Sequence, residues 1–225
     1  MRGEMKNLTN EEQATLEAID QFVFSKLNDD RTGHDYAHIQ RVVKMAKRLA
    51  SETEATDLFI VLASSELHDV IDEKIVDNQA TAEAEVKQFL QDQKVRTDRI
   101  EAIFDIITHM SFSKNLEHHY KLKLEGQIVQ DSDRLDAIGA IGIGRVFYYG
   151  GAHGHVMYDP KIAPRDKMTH AQYRQNETVI NHFYEKLLKL AGLMNTDAAK
   201  QIADQRTTVL TDFLDEFKAE WNQNK

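Results

Sequence analysis

Both prolines of this chain, Pro160 and Pro164, fall in one short stretch, and everything outside it is free of the residue that ends a helix most abruptly. Proline lacks the backbone donor and clashes with the preceding helical turn, so its absence elsewhere permits helix almost throughout. Only ten glycines are present, which also disfavours a turn-rich β-fold. Apolar periodicity supplies the positive signal. Thr9-Asn10-Glu11-Glu12 reads as a capping box before an amphipathic helix ending near Leu27. A second helix is expected from about Asp35 to Ser51, with Ile39, Val42, Val43, Ala46 and Leu49 as its stripe. Thr56-Asp57 should cap a third, apolar all round from Leu58 to Leu62 and therefore buried. Further helices are expected at 79–92, 97–110, 125–139, 169–193 and 197–221. The last carries Ile202, Val209, Leu210, Phe213, Leu214, Phe217 and Trp221 at helical spacing. The expectation is one all-α domain over residues 1–225, with a long loop near 150–168 that reads as a substrate lid.

Charge and composition narrow the function. There are 37 acidic against 28 basic residues, a net charge of -9. A binder of nucleic-acid polymer usually shows a basic face, so no such partner is expected. A local basic pocket for a small phosphate ligand is compatible with the same balance. The chain has no cysteine, which excludes disulfides, thiolate metal ligands and cysteine nucleophiles, and fits a reducing cytoplasm. No apolar stretch follows Met1-Arg2-Gly3-Glu4-Met5-Lys6, and the longest apolar run, 58–63, falls far short of the roughly 20 residues of a membrane span. Neither a signal peptide nor a membrane partner is expected.

Histidines and acids are not scattered evenly. His34-Asp35 lies in Gly33-His34-Asp35-Tyr36-Ala37-His38-Ile39-Gln40-Arg41-Val42. A second pair, His68-Asp69, follows the apolar run, and Asp131-Ser132-Asp133-Arg134-Leu135-Asp136 comes later. His38, His68, Asp69 and Asp133 would give a divalent metal two imidazoles and two carboxylates. A sulfur-free N/O set suits an octahedral ion with about two positions left for water or phosphate, Mn²⁺ foremost, Mg²⁺ or Fe²⁺ otherwise. Adjacent residues such as His68 and Asp69 diverge in mid-helix, but at a helix end the backbone can turn both toward one ion.

Three segments, His38-Ile39-Gln40-Arg41-Val42, Leu67-His68-Asp69-Val70 and Asp131-Ser132-Asp133-Arg134-Leu135-Asp136-Ala137-Ile138-Gly139, resemble the HD-domain superfamily of metal-dependent phosphohydrolases. The similarity runs over about 34–149. It implies a helical HD domain, with a metal-binding core at about 30–150, in which His38, His68, Asp69 and Asp133 bind the metal. The chain looks most like small bacterial HD-domain proteins, some of which are nucleotide pyrophosphohydrolases. The resemblance therefore implies a small-molecule nucleotide as substrate, cleaved from triphosphate to monophosphate and pyrophosphate. Hydrolysis of a 5′-monophosphate is the close alternative, and a nucleotide-sensing module without turnover is the next. Alarmone hydrolases look similar but look to need an Asn soon after the last metal-binding Asp, which Asp133-Arg134-Leu135-Asp136-Ala137 lacks.

The remaining site residues follow from position and charge. Asp72 and Glu73, three and four residues past Asp69, are candidates to take a proton from metal-bound water, with Asp72 favoured. The alarmone hydrolases carry the same two acids in the opposite order. Lys74, Lys114, Arg134 and Arg145 are candidates to offset phosphate charge. Arg134 has a second reading, as a brace for Asp133. In relatives a histidine near position 109 faces the metal-bound water or phosphate, and His109 is the match here. Phe112 reads first as core. His153 and His155 read as part of the lid in preference to a second metal site, and His118, His119, His170 and His182 as surface. Gly139, Gly142 and Gly144 follow a helix, so close packing explains them better than a phosphate loop. The amphipathic C-terminal helix leaves a homo-oligomer possible.

Overall fold

Short polar side chains start the helices where the sequence places them. Thr9 opens α1 (Asn10–Leu27) with a complete capping box. Its hydroxyl accepts from the Glu12 N–H at 3.2 Å, and the Glu12 carboxylate accepts from the Thr9 N–H at 2.8 Å. Asp35 caps α2 (Tyr36–Ser51), accepting from the His38 N–H at 2.8 Å. Asp57 caps α3 (Leu58–Leu67), and Asn78 caps α4 (Gln79–Asp92). Each such cap contributes about 1 kcal/mol by satisfying an otherwise orphaned amide. The computed structural model describes residues 8–30, 33, 35–53, 57–73, 75–173, 175 and 178–225, and all regular secondary structure among them is helical. His34, Thr56 and Lys74 lie outside the described residues.

The chain divides into two compact units, Met1–Ser132 and Asp133–Lys225. In the first, α3 is the central element. Nine of its ten residues are buried, and it packs against α1, α2 and α5 (Thr97–His109). Ile19, Val23 and Leu27 of α1, Ile39, Val42, Ala46 and Leu49 of α2, and Ile100 and Ile103 of α5 complete that core. Val43, expected in the stripe, is only half-buried. The division falls within α6 (Leu124–Asp136).

The second unit holds α7 (Gly139–Ala152), α8 (His170–Tyr173), α9 (Val179–Glu185), two 3-10 turns (Leu187–Lys189 and Ala191–Leu193) and α10 (Asp197–Trp221). Phe183 stacks on Phe213 with ring centroids 5.6 Å apart, and Phe147 meets Phe213 edge-on at 5.8 Å. Val209 and Trp221, counted to the apolar stripe of α10, remain exposed.

Two expectations change in detail. Gly150 and Gly151 belong to α7, so the long loop begins at His153. A Cβ at Gly150 would lie 2.5 Å from Val179 Cγ2, so this glycine permits close helix packing within a helix. Gly142 is likewise required, since a Cβ there would meet the Ala137 carbonyl oxygen at 2.2 Å, and Gly139 adopts φ +74°. Gly144 has no neighbour of this kind. The helix expected over 169–193 is broken. Thr178 starts α9 afresh by accepting from the Asn181 N–H at 3.1 Å, and Lys186 leaves the helical region with φ -133° and ψ -61°.

The loop of residues 153–169 is tied down. Val156 and Met157 carbonyls accept from the Val179 and Ile180 amides at 2.9 and 3.1 Å, and the Asn181 side chain donates to the Ile162 carbonyl at 3.0 Å. Arg165 grips Glu185 through its backbone N–H, Nε and Nη2 at 2.7 to 2.9 Å. Over 156–165 the segment is a fixed strap on α9, not a loose lid. Burial pushes the Glu185 carboxyl up, but the hydrogen bonds and charge of Arg165 outweigh it and hold the pKa below 4.5. Arg165→Met should therefore cost about 3 kcal/mol at pH 7 by leaving a buried carboxylate unpaired. In urea titrations the gap from the parent should be widest near neutral pH, where the buried carboxylate of the variant is charged and unpaired, and narrow as acid protonates Glu185, closing as pH falls through its folded-state pKa in the parent, below 4.5.

Candidate metal centre

The geometry of the site follows from two helix ends. His38 is the third residue of α2, held where the Asp35 cap fixes the first turn. His68 is the C-cap of α3 and keeps helical dihedrals. Its Nδ1 lies 2.8 Å from the Ser65 carbonyl oxygen, so Nδ1 carries the proton and donates. In the neutral ring the lone pair is then on Nε2. That Nε2 lies 3.3 Å from His38 Nε2. Asp69 completes the group, with Oδ1 3.3 Å from His68 Nε2 and Oδ2 3.4 Å from His38 Nε2. All three residues are buried, at 1%, 6% and 6% exposure. The backbone turns tightly just after α3, where the Val70 amide bonds the Leu67 carbonyl and the Asp72 amide the Asp69 carbonyl. This turn lets adjacent His68 and Asp69 address one point.

The donor set fits a divalent cation. One ligand atom from each residue lies within 4.8 Å of the others. Neighbouring ligands on an octahedral ion with bonds of about 2.1 Å sit about 3 Å apart, close to the spacings here. Among the described residues the cluster so defined comprises His38, His68 and Asp69. Asp133 is half-buried on α6 and belongs to the second unit.

The other expected residues occupy definite places. Asp72 is half-buried, and its carbonyl accepts from the Ile75 and Val76 amides at 2.9 and 3.1 Å; Glu73 is exposed. His109 closes α5 with Nδ1 2.8 Å from the Asp105 carbonyl and its ring 4.4 Å from that of Tyr120. Lys114 Nζ donates to the Thr108 carbonyl at 3.0 Å. Arg145 pairs with Asp136 at 3.0 Å, and Arg134 donates to the Leu193 carbonyl. Phe112 is half-buried. His153 is exposed and stacks on Tyr149 at 3.9 Å, with His155 edge-on to the same ring at 5.8 Å. His118 and His119 are exposed, whereas His182, expected on the surface, is half-buried near Tyr173.

Sequence reasoning missed two residues. Ser65 orients His68 through its carbonyl, which no side-chain pattern announces. Glu66 is buried on α3, at 7% exposure. Burial, reinforced by the carboxylate of Asp20, pushes its pKa up to about 8. The signal was present as a charged residue in an otherwise apolar helix.

A helical protein with a His-His-Asp cluster at the ends of α2 and α3 has known relatives. The HD domain family model matches residues 35–138. YpgQ of Bacillus subtilis, an uncharacterized protein, is 36% identical over 211 residues, 93% of each chain. The chain belongs to the HD-domain family. A crystal structure from Lactobacillus plantarum is similar at TM-score 0.87 and 52% identity, covering 94% of this chain and 98% of that one. An HD-superfamily hydrolase from Bacillus thuringiensis gives TM-score 0.72 and 42% identity over 94% and 98% of the two chains. YpgQ in complex with ADP gives 0.75 and 33% identity over 93% and 96%.

If the cluster holds the metal, His68→Ala should weaken Mn²⁺ binding by about 100-fold or more, as read by isothermal titration calorimetry. Saturating Mn²⁺ should raise the thermal midpoint of the parent, with about 2.7 kcal/mol gained at a hundredfold excess over Kd. The same addition should raise the midpoint of His38→Ala by much less than that of the parent.

Proposed function

We propose that the protein is a metal-dependent phosphohydrolase that cleaves nucleoside triphosphates to monophosphate and pyrophosphate. The observation that carries this reading is the convergence of His38, His68 and Asp69 on one point with nitrogen and oxygen donors only. Family membership and the ADP held by the relative YpgQ support a hydrolase and a nucleotide ligand. Asp133 is assigned as the fourth ligand from its motif, within the segment that the family model covers. Mn²⁺ is the preferred ion, since mixed imidazole and carboxylate ligands suit it better than a closed tetrahedral site suits zinc. When bound, the cation would polarise a phosphoryl oxygen and acidify water.

The chain's own groups then divide the remaining work. Asp72, half-buried in the turn just past Asp69, takes the water proton, with exposed Glu73 as the alternative base. Lys74, His109, Lys114 and Arg145 are assigned to the substrate, where positive charge and N–H donors offset charge on the phosphates.

With Mn²⁺ present, a panel of nucleoside tri-, di- and monophosphates should yield pyrophosphate from the triphosphates alone, and EDTA should stop the release. Orthophosphate from monophosphates would replace this reaction with phosphomonoester hydrolysis. Silence across the panel would leave a nucleotide sensor. Asp72→Asn should keep its metal content while losing about 100-fold or more in kcat. Asp133→Asn should lower metal content itself.

A further inference from the structure

His109 is held in place by more than the end of a helix requires. Its Nδ1 faces three oxygens: the Asp105 carbonyl at 2.8 Å, the Asp105 carboxylate at 3.2 Å and the Thr108 hydroxyl at 3.4 Å. Thr108 donates its own hydrogen to the Phe104 carbonyl, so Nδ1 meets acceptors only and carries a hydrogen. Nε2 is left as the nitrogen that can address a ligand. Tyr120 lies against the ring, with centroids 4.4 Å and planes 36° apart. Asn115 fixes this cover. Its amide nitrogen donates to the His109 and Ser111 carbonyls at 2.7 and 2.9 Å, and its oxygen accepts from the Tyr120 N–H at 3.1 Å.

The ring also sits at the same end of the first unit as the candidate centre. Arg99, in the first turn of α5, bonds Asp57 at the cap of α3 at 2.9 Å and lies 4.9 Å from the centroid of the Phe59 ring. The two packed helices thus begin together and run the same way. His68 is eleven residues past Asp57, and His109 is ten past Arg99. At about 1.5 Å per residue, these are matching rises of about 15 to 17 Å. Both histidines therefore close neighbouring helices at one end of the unit.

Resting on the triphosphate reading above, we propose that Asp105 positions His109 to deliver a proton from Nε2 to pyrophosphate as it leaves. A water oxygen bonds to the α-phosphorus, and one of its protons passes to Asp72. The bond from that phosphorus to the bridging oxygen breaks, and the electron pair stays on the oxygen. The proton from His109 Nε2 neutralises the charge formed there. The ring keeps its hydrogen on Nδ1 and regains the other from solvent, which reaches a side chain 34% exposed. Asp105 fixes the tautomer and offers the imidazolium a counter-charge, as the carboxylate of a catalytic triad does for its histidine.

The test varies the leaving group. One nucleoside triphosphate is made with its β,γ bridge as methylene, oxygen, fluoromethylene or difluoromethylene, and single-turnover rates are measured with Mn²⁺. Fluorination makes the leaving group less basic, so a reaction that has lost its acid depends more steeply on the bridge. His109→Ala should lose about 100-fold or more with the methylene compound and much less with the difluoromethylene one. Asp105→Asn, at an exposed position, should lose about tenfold or more in kcat, with the same trend and little change in KM. Equal slopes in the parent and both variants would overturn the proposal while leaving triphosphate cleavage in place. A steeper slope in His109→Ala alone would remove Asp105 as the positioning residue. A parent silent on the whole series would overturn the triphosphate reading and the role of His109 with it. Long-range ¹H–¹⁵N spectra of the metal-free protein give a readout without turnover: the neutral His109 ring should carry hydrogen on Nδ1, and hydrogen on Nε2 alone would overturn the arrangement.

Discussion

The hydrogen bond from His68 Nδ1 to the Ser65 carbonyl, at 2.8 Å, decides what the candidate centre can be. It uses a carbonyl in the last turn of α3, and it assigns the other ring nitrogen as a lone-pair donor. His38 arrives from α2 with its Nε2 only 3.3 Å away, and Asp69 spans both rings with its two oxygens. Remove the bond and His68 is free to take the other tautomer or another rotamer. Three buried polar residues would then have no common focus. The apolar surroundings reinforce this, since Leu67, Val70 and Ile71 are all nearly inaccessible and leave little room for rearrangement.

Much of this was legible in the chain. Caps at Thr9, Asp35 and Asp57 are local chemistry: a short side chain before an apolar period has one economical use, and each of the three makes the bond expected of it. The His68-Asp69 pair could be placed at a helix end for the same reason. What escaped reading depends on distant neighbours. Gly150 looked like loop because glycine usually is; its role becomes visible only once Val179 is seen 2.5 Å from where a methyl would be. The break before α9 depends on Thr178 preferring a capping geometry to continuation, a contest that periodicity does not report. Glu66 escaped because its burial comes from the helices packed around α3, which local pattern does not report; Ser64 and Ser65 beside it are buried as well.

The electrostatics of the two units differ in kind. In the first, Arg99 joins Glu12 at 2.6 Å and Asp57 at 2.9 Å, so one guanidinium links the start of α1 to the cap of α3 while lying over the Phe59 ring. Those charges are partly solvated and act mainly to fix orientation. In the second, Glu185 is nearly inaccessible and is held chiefly by Arg165, with Lys189 adding favourable charge, so the pair matters because a buried carboxylate does not tolerate isolation. A chain with net charge -9 thus commits Arg99 and Arg165 to structural ion pairs.

Gly150 has a reach beyond its own position. A hydrogen atom where other residues carry carbon lets the backbone of α7 touch the side chain of Val179. Relaxing that constraint would need a smaller residue at 179 together with a larger one at 150, and neither change alone is neutral. Positions 150 and 179 should therefore drift as a pair through descent, the bulk lost from one reappearing on the other.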